Sequence, residues 1–299
     1  MALLAEIPDY PSLYDAADAA ARREQARHFR FVRAELIALV AAAATSAFTL
    51  AGLLGEGNSR RLVAAVVLVL LILTLLFRLA RLIERFEERW FQSRALAESV
   101  KVESWLFMMK AEPYHDAGAV RSFARRMAIL VESNHDVFGI LAETPSFDKL
   151  QLTSAMMSVR AASVGERSTY YLAHRAHEQR NWYATRATIH QRNGRRWGWI
   201  GFSSEAIAMV FAVLALALGL VLDAMGAITT ASTAALAWVQ ARDFRRLATT
   251  YSVVAHDLGR LEIEYGAPAT SQELGAYVLE VERTLSREHT HWLSRRAGI

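Results

Sequence analysis

The chain has 299 residues, 53% of them hydrophobic, a formal net charge of +4 and no cysteine. Its mean hydropathy of +0.15 is high for a soluble protein and low for a transporter built only of spans, so a few apolar crossings joined to a sizeable aqueous body are expected. The lack of thiols excludes disulfides, thiolate metal sites and cysteine nucleophiles and fits a reducing cytoplasmic face. The basic residues gather beside the apolar runs, with no aromatic-interleaved strip of the kind single-stranded nucleic acid needs, so membrane flanks are expected and nucleic acid is not.

The opening residues, Met-Ala-Leu-Leu-Ala-Glu, lack the basic region and long apolar run of a signal peptide. Pro11 begins a helical stretch carrying Arg22, Arg23, Arg27, Arg30 and Arg33, which runs into Glu35 and a first apolar span over about 36–54. The run from Gly55 to Arg61 (Gly-Glu-Gly-Asn-Ser-Arg-Arg) is a turn by composition. A second span, about 62–82, is the most lipid-like run in the chain, with Arg78 and Arg81 able to snorkel. The helical pattern then continues without a break from Glu84 through Trp105 to Met109, and Pro113 and Gly118 end it. A middle segment of two or three helices is expected at 120–131 and 150–163, the latter started by Thr144 and Pro145.

A long helix from about Ser168 leads into a second hairpin with spans over about 200–222 and 224–240, separated by Asp223. Each run reaches roughly the 20 residues that a helix needs to cross about 30 Å of hydrocarbon. The turn is too short for a folded domain, so both flanks leave on one side. A helix over 242–265 follows, ended by Gly266 and Pro268, and a last one covers 272–292 with Ser271 as its N-cap. The period is helical throughout, so the expected fold is an all-α membrane protein: four spans in two hairpins, with long helices extending into a cytoplasmic bundle. Arginines crowd the outer flanks of both hairpins and are sparse in the turns, which places both termini and the middle of the chain in the cytoplasm. The two halves repeat this plan in parallel, with Glu35 and Glu205 at the mouths of their first spans.

Tyr171, Arg175, Gln179, Trp182, Tyr183 and Ala187 fall at steps of three or four and share one helix face. Rings alternating with Arg and Gln suit packing against a helix that offers polar partners. This ladder, directly before a two-span hairpin and with the late Glu288 and Trp292, resembles the SLATT domains, two-transmembrane effectors of bacterial nucleotide-signalling conflict systems. Arg94, Glu98, Lys101 and Trp105 are similar to the helix that follows the hairpin in such domains, so the chain is expected to hold two halves, 8–162 and 163–299. The resemblance implies a homo-oligomeric effector in the bacterial inner membrane that forms a pore or disrupts the bilayer on a nucleotide-linked signal. Its trigger would be a separate signalling partner protein or a nucleotide ligand. The alternative is a membrane-anchored helical interaction module without pore activity.

Thr229, Thr230 and Thr233, with Gln240 two turns on, mark either a hydrated path or subunit interface, or hydroxyls bonding their own helix. Glu35 and Glu205 are either a cation-attracting ring at an oligomeric mouth or acids favoured in the first turn of a span. Arg125, Arg126, Arg160 and Arg175 are candidates to hold a phosphate-bearing ligand, against the plainer reading of interhelical salt bridges. His174 and His177 lack a third ligand, Ser203 and Ser204 lack a base, and no phosphate-cradling glycine loop exists, so neither enzyme nor cofactor is expected.

Overall fold

The computed structural model describes residues 8–50, 58–134, 137, 139, 141, 151–218 and 224–296, and every regular element among them is helical. The first three residues of the expected turn over 55–61, the turn at Asp223 and the start signal at Thr144 lie outside the described residues, as do the side chains of Glu288 and Trp292. The last four residues of that turn, Asn58 to Arg61, are instead the first turn of a helix, because the apolar run behind them extends the helix back toward Gly57.

Helix α1 (Ser12–Leu50) joins the arginine-rich lead-in to the first apolar run without interruption. The Pro11 carbonyl accepts the Tyr14 amide at 2.9 Å, so the proline opens the first turn. Helix α2 (Asn58–Glu84) has no buried residue: Leu62 is 67% exposed and Leu75 64%. A helix that is apolar all round and yet uncovered is built for a lipid solvent. Two stretches are long and apolar enough to cross a membrane, Asn58–Met109 and Val164–Leu218; among the described residues α1 and the helix after Asp223 fall short of that measure.

The outgoing helices depart from the unbroken course expected of them. Arg85 takes φ 50° between α2 and α3 (Phe86–Met109), and Asp243 takes φ 47° between α8 (Ala224–Arg242) and α9 (Phe244–Tyr265). The Arg85 amide still donates to Arg81 O at 3.2 Å and the Asp243 amide to Val239 O at 2.9 Å. One left-handed residue closes the first helix, and the next helix starts at once. A buried phenylalanine follows each break, Phe86 and Phe244. The two halves therefore share a detail of backbone that residue-level comparison does not show.

Between these lie α4 (Ala119–Ser133), α5 (Ser154–Ala161), α6 (Val164–Tyr171), a π-helical turn (Leu172–Ala176), α7 (His177–Leu218) and, at the end, α10 (Ser271–Arg296). The Thr153 hydroxyl accepts the Met156 amide, and Ser163 with Glu166 forms a reciprocal capping box. At α10 the capping hydroxyl belongs to Thr270, which accepts the Glu273 amide at 3.1 Å, one residue before the expected Ser271. The Glu273 side chain bonds back to the Ala269 and Thr270 amides, and that return contact selects threonine as the cap.

Packing divides the chain into two compact units. One is formed by Met1–Gln25, Glu87–Ala187 and Thr249–Ile299, the other by Ala26–Phe86 and Thr188–Ala248. Each sequence half contributes to both. The first unit holds the hydrophobic core, centred on the fully buried Trp105, whose indole meets Tyr170 at 5.8 Å and Tyr171 at 5.3 Å between ring centres. The second unit is arranged the other way. Many of its buried side chains are small, such as Ala38, Ala42, Ala234 and Ala235, while large aliphatics such as Leu62, Leu75, Leu82, Val213 and Leu216 face outward. Small residues inside and large aliphatics outside is the packing expected where lipid replaces water.

Candidate functional site

In the second unit, the two carboxylates expected at span mouths meet different surroundings. Glu35 is 5% exposed and is clamped from α2: Arg78 Nε donates at 3.0 Å and Arg81 Nη2 lies at 2.8 Å. The arginines read as snorkelling side chains are thus ion-pair partners of the acid at the first mouth. Glu205 on α7 is exposed, and its contact is a hydroxyl: Ser232 Oγ donates toward Glu205 Oε1 at 3.1 Å and lies 3.3 Å from Gly201 O. Glu205 carries no ion pair among the described residues, so its charge is open to whatever faces that side of the hairpin.

Helix α8 carries the hydroxyl residues. Thr229, Thr230 and Thr233 each donate to the carbonyl four residues back, at 2.9, 2.7 and 2.9 Å. Those bonds satisfy the hydroxyl hydrogens and leave the oxygens' remaining lone pairs available. Gly226, Thr229, Thr233, Leu236 and Gln240 form one exposed stripe at steps of three and four, with Thr230 half-buried beside it. Ala234, Ala235 and Trp238 occupy the covered face. At the arginine-rich end, Arg33 stacks on Trp238 at 5.1 Å and Arg242 on Phe29 at 4.4 Å, and Trp197 meets Trp238 at 6.2 Å. Rings and guanidinium groups gathered at one level suit a headgroup interface.

The ladder lies in the other unit. Tyr171 and Arg175 are buried and converge on Glu282 of α10. Arg175 donates from Nε at 2.9 Å and from Nη2 at 2.7 Å to the two carboxylate oxygens, and Tyr171 donates at 2.9 Å. Burial opposes the Arg175 charge, but Glu282 outweighs it and holds the guanidinium well above its ordinary range. Burial, and then the Glu282 charge, push the Tyr171 phenol far up. The π-helical turn spans Leu172–Ala176, so the ladder is wound more loosely here than an α-helix would be. Further along, Tyr183 and Ala187 are buried, Gln179 is half-buried and Trp182 is partly exposed, stacking near Tyr251 at 5.5 Å.

Glu282 did not stand out in the sequence. A signal was present: it sits on the apolar stripe of the last helix, with Val278 four residues before it and Leu285 three after. A carboxylate on a buried stripe calls for a cation, and the ladder supplies one.

The remaining arginine candidates are scattered. Arg126 Nε donates to Glu103 at 2.7 Å, and that carboxylate also accepts Tyr114 Oη at 2.5 Å. Arg125 is exposed on α4. Arg160 donates to the carbonyls of Phe107 at 2.5 Å and Tyr114 at 2.7 Å. Arg175 is committed to Glu282. The four therefore do not converge on one point. His177 pairs with Glu262 at 3.0 Å, His174 lies against Tyr170, and no cluster of potential metal ligands occurs among the described residues.

Two family matches cover nearly the whole chain. Residues 11–168 match the SMODS and SLOG-associating 2TM effector domain 3, and residues 171–292 match the SMODS and SLOG-associating 2TM effector domain 1. No curated protein and no solved structure matches the chain.

Proposed function

This chain belongs to the SLATT family of SMODS and SLOG-associating two-transmembrane effector domains, and from that membership we propose that it is a membrane effector of a bacterial conflict system. In this reading it crosses the inner membrane four times with both termini in the cytoplasm, assembles from several copies, and opens a path through the bilayer on a nucleotide-linked signal. It carries out no catalytic step.

The observation that carries the proposal is the exposed stripe on α8. Gly226, Thr229, Thr233, Leu236 and Gln240 face outward from a helix whose covered side is Ser232, Ala234, Ala235 and Trp238. Hydroxyl and amide groups are poor company for lipid and good company for water or for another helix. Exposed Glu205 adds an acidic group to the same hairpin, which supports cation preference at a mouth lined by several copies. Helix α2, which buries none of its residues, supplies a lipid-facing surface for each copy.

The i−4 bonds of the three threonines also suit a closely packed span, which favours the second reading, a membrane-anchored interaction module. One experiment separates the two. The full chain reconstituted into liposomes loaded with a self-quenching dye is expected to release it, and retention of dye across the range of protein density would leave the anchored module as the surviving reading.

A further inference from the structure

Three basic side chains, Lys110, Arg160 and Arg167, gather at the C-terminal end of α3. Arg167 is 2% exposed. Its Nη1 donates to Met109 O at 2.6 Å and its Nη2 to Ser271 Oγ at 3.0 Å, while its Nε is buried and donates to nothing. Arg160 spends both terminal nitrogens on carbonyls and stacks over the Phe107 ring at 4.7 Å. Lys110 closes α3 at φ 56°. None of the three forms an ion pair with a carboxylate among the described residues. The Asp116 carboxylate offsets part of the Arg160 charge while its Oδ1 accepts the Gly118 amide at 3.0 Å.

The cations also act on one another. Burial lowers the Lys110 pKa and the charges of Arg167 and Arg160 lower it further; burial and then Arg160 lower that of Arg167. The plain alternative is that the arginines merely cap α3. Carbonyl dipoles at a helix C-terminus offset less than a full opposing charge does, so three cations beside one carboxylate leave a local excess of positive charge. Elsewhere in the same unit the enclosed Arg175 is matched by Glu282, and the half-buried Arg94 by Glu98.

We propose that Lys110, Arg160 and Arg167 form a binding site for a phosphate-bearing anion at the C-terminal end of α3. Lys110 and the free Nε edge of Arg160 supply the contacts, and buried Arg167 supplies field from behind. A multiply charged oxyanion fits best, because it answers more than one cation at once. The site does not rest on the pore reading, since phosphate binding and dye release are read separately.

The test uses the full chain in two settings. In detergent micelles, inorganic pyrophosphate is titrated calorimetrically at constant ionic strength. In nanodiscs, lipid bound to the protein is compared between pure phosphatidylcholine and a mixture with phosphatidylglycerol. Binding in the first setting identifies a soluble phosphate; binding in the second alone identifies a headgroup. Lys110→Gln, at a side chain with no hydrogen bond among the described residues, is expected to weaken whichever binding is seen about tenfold. Arg121→Gln, an exposed change on α4, is expected to leave it unaltered. Absence of binding in both settings, an unchanged Lys110→Gln variant, or an equal loss in Arg121→Gln would overturn the assignment.

Discussion

Removing the acid from the buried ladder should be among the most damaging single changes in the first unit. Glu282 and Arg175 are each 1% exposed at their side chains, and Glu282 accepts three hydrogen bonds, two from Arg175 and one from Tyr171. Glu282→Ala leaves a guanidinium enclosed without a counter-charge, which costs about 3–5 kcal/mol, and strands the Tyr171 hydroxyl for about 1–3 kcal/mol more. These overlap because they share one acceptor, so a total of about 4–6 kcal/mol is expected. At about 2–4 °C per kcal/mol for a domain of this size, the midpoint of thermal unfolding should fall by about 8–24 °C. The double change Arg175→Met with Glu282→Leu removes both charges and keeps the volume, and should recover at least about 2 kcal/mol of the loss. The assay is helical circular dichroism against temperature, in detergent, for wild type, Glu282→Ala, the single variants Arg175→Met and Glu282→Leu, and the double variant. A Glu282→Ala midpoint within about 3 °C of wild type, or a double variant that loses the sum of the singles, would refute the account of the ladder as a coupled pair.

Replacing Thr229, Thr230 and Thr233 by Leu together should abolish dye release and toxicity while expression and membrane insertion persist; unchanged depolarisation would remove these residues from the mechanism. Glu205→Gln should lower cation over anion selectivity of the released path without changing thermal stability by more than about 1 kcal/mol, measured as reversal potential in planar bilayers. Tyr10, Tyr114 and Tyr171 are held above the ordinary value of 10.0, chiefly by burial. Below that value both states keep these protons; above it the unfolded chain loses them and the folded chain does not, so stability falls as pH rises past 10.0. Phenolate absorbance from these residues should therefore appear together with loss of helical signal, and titration of all nine tyrosines before unfolding would contradict it. Asp243→Gly should be near neutral and Asp243→Val should cost about 1–2 kcal/mol, because φ 47° is hostile to a β-branched side chain; equal stability of the two would show that the break relaxes.

Much of this molecule is written locally in its sequence. Hydrophobic period, arginine flanks and turn residues determine that it is helical and that its apolar runs come in pairs, because burial pattern and lipid solvation act residue by residue along one helix. The ladder from Tyr171 to Ala187 was legible for the same reason. What sequence spacing could not supply was partnership across long separations. That Glu35 meets Arg78 and Arg81, that Ser232 rather than an arginine answers Glu205, and that Arg175 chooses Glu282 depend on which faces the packing brings together. The breaks at Arg85 and Asp243 and the π-helical turn before His177 are of the same kind. Each costs local backbone energy, so local preference argues against it, and only the contacts of the folded chain make it favourable.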